Sequence, residues 1–265
     1  MRKALVLGSG GIRGMAHIAF IEVLREKKKD NFDIITGCSI GSLIGGVYAL
    51  DPSANLYKIA EEVIEKNLEK LEKITKSMNS KSVNYIFQSF AGLLLNSGVN
   101  PNEIIYEISK ELFGSKKFSD CEIPFGVISY DIDSSKTVEI NEGFLTDAVL
   151  ASANVPGAFD PVRLGGMQLV DGGVLSSLPI NLAKKMGADY IVTNDISPTV
   201  KDDNFENGME YMNYVDLFKI YKINEIEKKD ANENYKFETK VSWDNFDEYK
   251  KIYEKAKDHY GSVVK

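Results

Sequence analysis

The organisation of this chain is clearest in the stretch Asp33-Ile34-Ile35-Thr36-Gly37-Cys38-Ser39-Ile40-Gly41. Residues 33–37 form an apolar run typical of a buried strand, and the small residues after it lead into a predicted helix over 43–50. The same order is predicted upstream, with a strand over residues 3–7 and a helix that begins near Met15. Strands and helices that alternate over short links predict an α/β fold, in which a mainly parallel central sheet is flanked by helices on both faces.

The rest of the chain continues this pattern without an internal repeat or a low-complexity linker. Further strands are predicted near residues 123–132, 137–140, 168–170 and 190–192. Further helices are predicted near residues 56–76, 146–153 and 181–186. Beyond Pro198 the composition becomes more charged and aromatic, and we expect a helix near 209–229, a strand near 236–241 and a helix near 247–260. We predict one domain over residues 1–265, with a motif-bearing core over 1–200 and an extension over 201–265.

Composition excludes several classes of protein. Hydrophobic residues make up 43% and charged residues 27% of the 265 positions, which is the balance of a globular chain and not of a disordered one. Two cysteines cannot build a disulfide framework or a zinc cage, and two histidines make a histidine-rich metal site unexpected. The net charge of −7 argues against nucleic-acid binding and against electrostatic docking on anionic membranes.

No stretch of the sequence approaches the ~20 uninterrupted apolar residues of a membrane span. The N-terminal run 1–7 starts like a signal peptide, but it ends at Gly8 in a glycine-rich loop that contains Arg13, so it is interpreted as a buried first strand. The low cysteine content points to a reducing compartment, and the expected location is the cytoplasm.

The first functional motif is Gly37-Cys38-Ser39-Ile40-Gly41, a G-x-S-x-G pattern between a predicted strand and a predicted helix. A strand-to-helix turn this sharp tolerates only small neighbours and exposes the central serine at the edge of the sheet. The N-terminus of the helix adds partial positive charge where an oxyanion would form. Ser39 is therefore the candidate nucleophile, against the alternative of an ordinary turn between a strand and a helix.

A second glycine-rich loop, residues 8–14, also lies between a strand and a helix. A dinucleotide-binding G-x-G-x-x-G pattern that starts at Gly8 would need glycine at position 13, where the chain has Arg13, and no P-loop Gly-Lys-Ser/Thr follows. What remains is a run of backbone N–H groups at the start of a helix, suited to an anion. Beside a nucleophilic serine, such a loop predicts an oxyanion hole.

The base that activates the serine is the third element of the prediction. His17 lies inside the first helix, where it is expected to cap or pack, and His259 lies in the charged last helix, where it is expected to be solvated. An α/β-hydrolase would place several strands before its serine, and only two are predicted before Ser39. Asp171 is the better candidate, because it follows a predicted strand and precedes Gly172-Gly173, which lets the backbone turn sharply.

Taken together, Gly10–Gly14, Gly37–Gly41 and Asp171–Gly173 resemble, in order and context, the motifs of the patatin-like phospholipase family. Residues 151–162 resemble the family's Ala-Ser-x-Ala-x-Pro-x-x-Phe-x-Pro segment. Residues 13–18 resemble its first helix, in which a histidine often sits without being catalytic. The resemblance is specific through about residue 195 and weaker in the tail.

The resemblance implies a role for each matching residue. Ser39 would attack the ester carbonyl, Asp171 would take its proton, and the amides of Gly10 and Gly11 would hold the oxyanion. Arg13 matches the family's basic residue, and whether it anchors the loop or contacts the substrate stays open. Where the family often has a further glycine this chain has Ser9, at which a left-handed backbone would be less comfortable.

The expected function is hydrolysis of lipid acyl esters through an acyl-serine intermediate, with no metal and no cofactor. The partners implied are a lipid or ester substrate and transient contact with a membrane or micelle; phospholipid or lysophospholipid comes from the resemblance alone. The alternatives are a carboxylesterase for short soluble esters, a non-catalytic member that binds acyl chains or proteins, and last a dinucleotide-dependent oxidoreductase. The apolar segment 85–95 is expected to border the acyl pocket, or else to be a core helix.

Overall fold

The computed structural model of the protein describes residues 1–79, 101–156, 159–198 and 208–265. The strands among these residues are β1 (Lys3–Leu7), β2 (Ile34–Gly37), β3 (Phe125–Asp131), β4 (Lys136–Ile140), β5 (Val162–Leu164), β6 (Met167–Asp171), β7 (Tyr190–Asp195) and β8 (Glu233–Lys236). The α-helices are α1 (Met15–Glu26), α2 (Ile40–Leu50), α3 (Leu56–Asn79), α4 (Pro101–Phe113), α5 (Leu145–Ser152), α6 (Ile180–Lys185), α7 (Gly208–Glu227) and α8 (Tyr249–Val263). The apolar segment 85–95 lies outside the described residues.

The strands form one sheet in the order β5-β6-β3-β2-β1-β7-β8, with β4 also paired to β3. The run from β3 through β2, β1 and β7 to β8 is parallel, whereas β4, β5 and β6 are antiparallel additions at the β3 side. The predicted α/β class with a mainly parallel centre is confirmed. No helix in the described part of the chain is both long enough and apolar enough to cross a membrane.

Alternate residues of β1 show that helices cover both faces of the sheet. Leu5 and Leu7 are fully buried in a large cluster with side chains of α1, α2 and α8. Ala4 and Val6 point to the other face, where they pack in a smaller cluster with residues of α6 and the segment before it. Because successive side chains of a strand point to opposite faces, a central strand covered on both sides is apolar on both, as residues 4–7 are.

Other strands pair with β3 along both of its edges, and this pairing brings the ends of β2 and β6 together. β4 pairs with residues 127–131 of β3 along one edge. β2 pairs along the other edge, with Gly37 opposite Val127. β6 pairs with residues 129–131, with Asp171 opposite Ser129, and since β4 already occupies the first edge, β6 must share the edge of β2. The ends of β2 and β6 therefore meet head-on beside β3.

The tail beyond residue 208 adds to the same sheet and to the same core. β8 lies parallel to β7, and α8 packs on α1, where the ring centroids of Tyr260 and Phe20 are 4.8 Å apart. The strand predicted near 236–241 is wrong in position, because β8 ends at Lys236. The reason is that β7 ends at Asp195, the partner of Lys236, and offers no further residue for pairing.

Two elements are missing from the sequence prediction, β5 and α4. Helix α4 begins with Pro101, and its C-terminal turn closes at Gly114, whose φ is +53° and whose N–H donates to the Lys110 carbonyl at 2.8 Å. Proline at the first position and a left-handed glycine just past the end are typical of helix boundaries. Ile104 and Ile108, one turn apart, bury its inner face.

Candidate active site

Ser39 occupies the turn between β2 and α2 in a strained conformation. Its φ is +55° and its ψ −123°, a region that non-glycine residues rarely adopt, and its side chain is 7% exposed. The turn leaves no room for side chains beside it: a Cβ at Gly37 would lie 2.3 Å from the Gly41 carbonyl oxygen, and one at Gly41 would lie 2.2 Å from that of Leu7. The glycines of the G-x-S-x-G pattern are therefore required by close packing.

Asp171 is at the end of β6, and its carboxylate caps the turn that follows. Oδ1 accepts the N–H of Gly173 at 2.7 Å, and the side chain is 5% exposed. Burial raises the pKa of Asp171 from 3.8 to about 6, and interactions with the Ser39 hydroxyl, the Gly173 N–H and the Cys38 thiol partly offset the rise. The carboxylate is thus a stronger base than a solvated aspartate and remains ionised at neutral pH.

Strand β3 brings Ser39 and Asp171 together, since their strands end on its same edge, opposite Val127 and Ser129. The hydroxyl of Ser129 lies within hydrogen-bonding distance of the Val170 carbonyl, at 2.6 Å, which ties β6 to β3. The residue after Gly37 and the residue that ends β6 consequently contact each other: Cys38 Sγ is 3.7 Å from Asp171 Oδ1.

The glycine-rich loop lies beside this pair and is held by backbone hydrogen bonds. The N–H of Ser9 donates to the Ser177 carbonyl at 3.2 Å, and that of Ile12 donates to the Trp243 carbonyl at 2.7 Å. Gly11 has φ +57°, whereas Ser9 is not among the residues with positive φ, so the serine causes no strain. Within the described part of the chain, the N–H groups of Gly10 and Gly11 have no acceptor.

Arg13 is buried under this loop, with its side chain turned to protein groups. Its Nε donates to the carbonyl of Gly10 at 3.1 Å, and the guanidinium is 6% exposed. Burial lowers the pKa of Arg13 to about 10, although the charges of Asp195 and Asp244 oppose the shift. The arginine remains a cation at neutral pH.

Both histidines make structural hydrogen bonds. His17 is fully buried, with Nε2 2.8 Å from the Gly8 carbonyl and Nδ1 3.0 Å from the amide nitrogen of Asn194, so Nε2 carries the proton. Burial lowers the pKa of His17 to about 4, which keeps the ring neutral. His259 is half-buried, with Nε2 2.9 Å from the Lys236 carbonyl, so the expectation of a solvated side chain is wrong. Neither ring contacts Ser39 in the described structure.

An apolar cavity of about 190 Å³ opens next to the serine. Gly11 and Ser39 line it, together with aliphatic side chains of α1, α2, α3 and α4. Two aromatic side chains from the tail, Trp243 and Phe246, complete its wall. Sequence reasoning missed both of them, because no local pattern in the tail points to a site more than 200 residues away. In the described ranges no cluster of three or more histidine, cysteine or acidic side chains could hold a metal.

The sequence profile of one family, described as Patatin-like phospholipase, matches residues 5–184 of this chain. The chain belongs to this family. The match contains the glycine-rich loop, the Ser39 turn and Asp171, so the resemblance on which the sequence analysis relied is confirmed.

Relatives of this patatin-like chain match roughly three quarters of its length. The lysophospholipase NTE1 of Debaryomyces hansenii is 34% identical over 194 residues, and the patatin-like phospholipase domain-containing protein 6 of Mus musculus is 30% identical over 202 residues. An uncharacterized NTE family protein of Mycobacterium bovis is 30% identical over 193 residues. These alignments cover 72%, 76% and 72% of this chain but only 12%, 14% and 48% of the respective relatives.

Two solved structures similar to this patatin-like chain are bacterial proteins. VipD of Legionella pneumophila has a TM-score of 0.47 at 13% identity, with 96% of this chain and 67% of that one covered. ExoU in the ExoU–SpcU complex of Pseudomonas aeruginosa has a TM-score of 0.49 at 13% identity, with coverage of 99% and 51%.

The family match ends before the tail that closes the cavity of this patatin-like protein. Residue 184 is the last one matched, whereas Trp243 and Phe246 come from a segment about sixty positions later. The motif-bearing residues are thus family features, whereas two aromatic residues of the cavity wall, Trp243 and Phe246, belong to the extension.

Proposed function

We propose that this protein hydrolyses lipid acyl esters, with Ser39 as nucleophile and Asp171 as general base. The observation that carries the proposal is the buried Asp171 carboxylate, with its pKa raised to about 6, next to a strained serine that faces an apolar cavity. A perturbed carboxylate beside an activated hydroxyl in a cleft is typical of a catalytic pair.

The reaction takes place in two halves. Asp171 accepts the proton of the Ser39 hydroxyl while Oγ attacks the ester carbonyl carbon, and a tetrahedral oxyanion forms. The oxyanion collapses, the alcohol leaves with the proton from Asp171, and the acyl group stays on Ser39. Water then attacks the acyl-serine with Asp171 again as base, and collapse of the second oxyanion returns the proton to Ser39 and releases the fatty acid.

The oxyanion is assigned to the N–H groups of Gly10 and Gly11. Both amides lack an acceptor among the described residues, and Gly11 shares the cavity wall with Ser39. Donors fixed in place before the reaction stabilise an oxyanion without reorganisation, and this term often dominates catalysis. Arg13 is assigned the role of loop anchor, because its Nε holds the carbonyl of Gly10 and its side chain is buried away from the cavity.

The acyl chain is assigned to the apolar cavity, which suits a hydrocarbon chain and offers no charge to bind a polar head group. A glycerophospholipid or a lysophospholipid fits this assignment, and the printed names of the relatives agree with it. A carboxylesterase for short esters is the second candidate, and a chain-length series distinguishes the two.

The test uses the full chain, a series of p-nitrophenyl esters from acetate to palmitate, and lysophosphatidylcholine. We expect rates that rise with acyl length, release of fatty acid from the lysolipid, and loss of activity by a factor of about 10³ or more in Ser39→Ala. An alkyl fluorophosphonate should add one phosphonyl group, located at Ser39 by peptide mass spectrometry. Labelling at another residue, or wild-type hydrolysis by folded Ser39→Ala, contradicts the proposal, and preference for acetate favours the esterase.

A further inference from the structure

Five residues of the tail, Ser242–Phe246, form what we call the tail segment, which reaches the glycine-rich loop through Trp243 and the cavity through Trp243 and Phe246. The carbonyl of Trp243 accepts the N–H of Ile12 at 2.7 Å, directly after the two glycines assigned to the oxyanion. A Cβ on Gly11 would lie 2.2 Å from that carbonyl oxygen and 3.0 Å from Cε3 of the indole, so both the backbone and the ring of Trp243 rest on Gly11.

The tail segment is itself firmly held. Asp244 is 6% exposed, accepts a hydrogen bond from the Ser242 hydroxyl, and contributes a favourable charge to the buried Arg13. Phe246 packs against the cluster of Leu71, Ile104 and Ile108 between α3 and α4. The segment is thus anchored at the loop by one aromatic residue and at the far helices by another.

We propose that the tail segment tunes the lipid hydrolase proposed above: Trp243 is a positioning residue for the oxyanion loop, and Phe246 determines the acyl length that the cavity accepts. The inference rests on the proposed function for its catalytic part. It assigns to residues outside the family match the part of the site that distinguishes one member from another.

The positioning role follows from how the loop is fixed. The directions of the Gly10 and Gly11 N–H groups depend on the backbone between the Ser9 and Ile12 hydrogen bonds, and the second of these ends on Trp243. The indole fixes the position of the carbonyl, because the ring is wedged between Gly11 and the cavity. Loss of the ring frees the carbonyl, and displacement of donors by a fraction of an ångström lowers the rate of the chemical step.

The length-selecting role follows from the positions of the two aromatics. Trp243 touches Gly11, at the Ser39 end of the cavity, whereas Phe246 packs against the cluster that contains Ile108 of α4 and Leu71 of α3. An acyl chain whose carbonyl is at Ser39 and whose methylenes follow the cavity runs from Trp243 towards Phe246. Removal of the Phe246 ring extends the cavity at the end that receives the terminal methyl group.

The first experiment needs no change to the tail. Trp243 is the only tryptophan in the sequence, so the intrinsic fluorescence of the full-length Ser39→Ala protein reports on this one cavity wall. Titration with palmitic acid below its critical micelle concentration should shift the emission in a saturable way, and octanoic acid should do so more weakly. Saturable binding by calorimetry without any change in emission overturns the placement of Trp243 in the acyl-binding wall, and the absence of binding overturns the acyl-binding role of the cavity. This result does not depend on whether the wild type hydrolyses esters.

The second experiment compares Trp243→Ala, Trp243→Phe and Phe246→Ala with Asn245→Ala, whose exposed side chain makes no capping hydrogen bond. We expect Trp243→Ala to lower kcat about tenfold or more with little change in KM for p-nitrophenyl butyrate, and Trp243→Phe to recover most of it. Phe246→Ala should raise the ratio of the stearate to the butyrate rate, and Asn245→Ala should match the wild type.

Equal kcat in folded Trp243→Ala and Asn245→Ala overturns the positioning role, and an unchanged chain-length profile in Phe246→Ala overturns the selecting role. If Trp243→Ala does not fold, Trp243→Phe decides: a wild-type kcat supports a requirement for an aromatic ring, and a fall to background contradicts it. If the wild type hydrolyses no ester, the proposed function fails, and the fluorescence titration still decides where Trp243 lies.

Discussion

The fully buried thiol of Cys38 lies 3.7 Å from Oδ1 of Asp171. Burial and the charge of Asp171 raise the pKa of the Cys38 thiol well above its usual range, so the thiol stays protonated and donates to the carboxylate. The residue next to Ser39 therefore stabilises the ionised form of the Asp171 carboxylate.

From this contact we predict how kcat/KM depends on pH. Because the pKa of Asp171 is about 6, kcat/KM of the wild type should fall as the pH drops below 6, where the base becomes protonated. Cys38→Ala removes a donor that favours the carboxylate, so the acidic limb should move to higher pH. The measurement is kcat/KM for a p-nitrophenyl ester between pH 4.5 and 8.5. Cys121→Ala, at a half-buried thiol elsewhere, should leave the limb in place; a shift in the opposite direction in Cys38→Ala contradicts the assignment.

Asp171→Asn should be inactive and yet more stable than the wild type at pH 8. Burial raises the pKa of Asp171 from 3.8 to about 6, so its contribution to stability is present below pH 3.8 and is lost as the pH rises through 6. The asparagine has no charge to bury, and the gain at pH 8 should reach at most about 3 kcal/mol, the free-energy equivalent of the shift. Urea unfolding at pH 8 and pH 4 measures it, with the exposed substitution Asp258→Asn as control. An increase in the free energy of unfolding at pH 4 but not at pH 8 would contradict this prediction.

His17→Gln should retain most of its activity when folded. The neutral ring bridges the Gly8 carbonyl and the Asn194 side chain, and a glutamine amide also offers a donor and an acceptor. Because the pKa of His17 is lowered from 6.5 to about 4, the wild type loses stability as the pH falls through this window, and the variant lacks that loss. Melting temperatures at pH 7.5 and 4.5 test the second statement. A folded His17→Gln as inactive as Ser39→Ala would require a serine–histidine mechanism instead.

Gly41→Ala should impair both folding and activity. Its Cβ would lie 2.2 Å from the backbone oxygen of Leu7, which cannot move without disturbing β1, and overpacking of this kind costs about 1–3 kcal/mol. Gly261→Ala is the matched control, since nothing lies within 4 Å of its Cβ and alanine favours the helix by about 1 kcal/mol. The free energies of unfolding of the two variants should change in opposite directions, and equal stability would mean that the Ser39 turn is looser than its contacts indicate.

The parts of the fold that sequence predicts well are those with a local pattern. The residues next to Ser39 and Asp171 in the sequence predict a strand-turn-helix at the first and a turn after the second. Both are present in the structure. β8 was placed too late because its end depends on Asp195 in another strand. The contact of Trp243 with Gly11 depends on how the tail folds back over α1. Residue spacing in the sequence does not predict this contact.

The hydrogen bond from the Ile12 N–H to the Trp243 carbonyl also affects the order in which the site assembles during synthesis. The loop that precedes α1 leaves the ribosome more than 200 residues before its partner, Trp243, is translated. Contacts this distant in sequence form only after the intervening chain has been made. A nascent chain that has completed the Ser39 turn, and even Asp171, therefore still has a glycine-rich loop without the hydrogen bond from Ile12 to Trp243. If Ser39 acts as proposed, such an unfinished chain should hydrolyse esters more slowly than the completed fold.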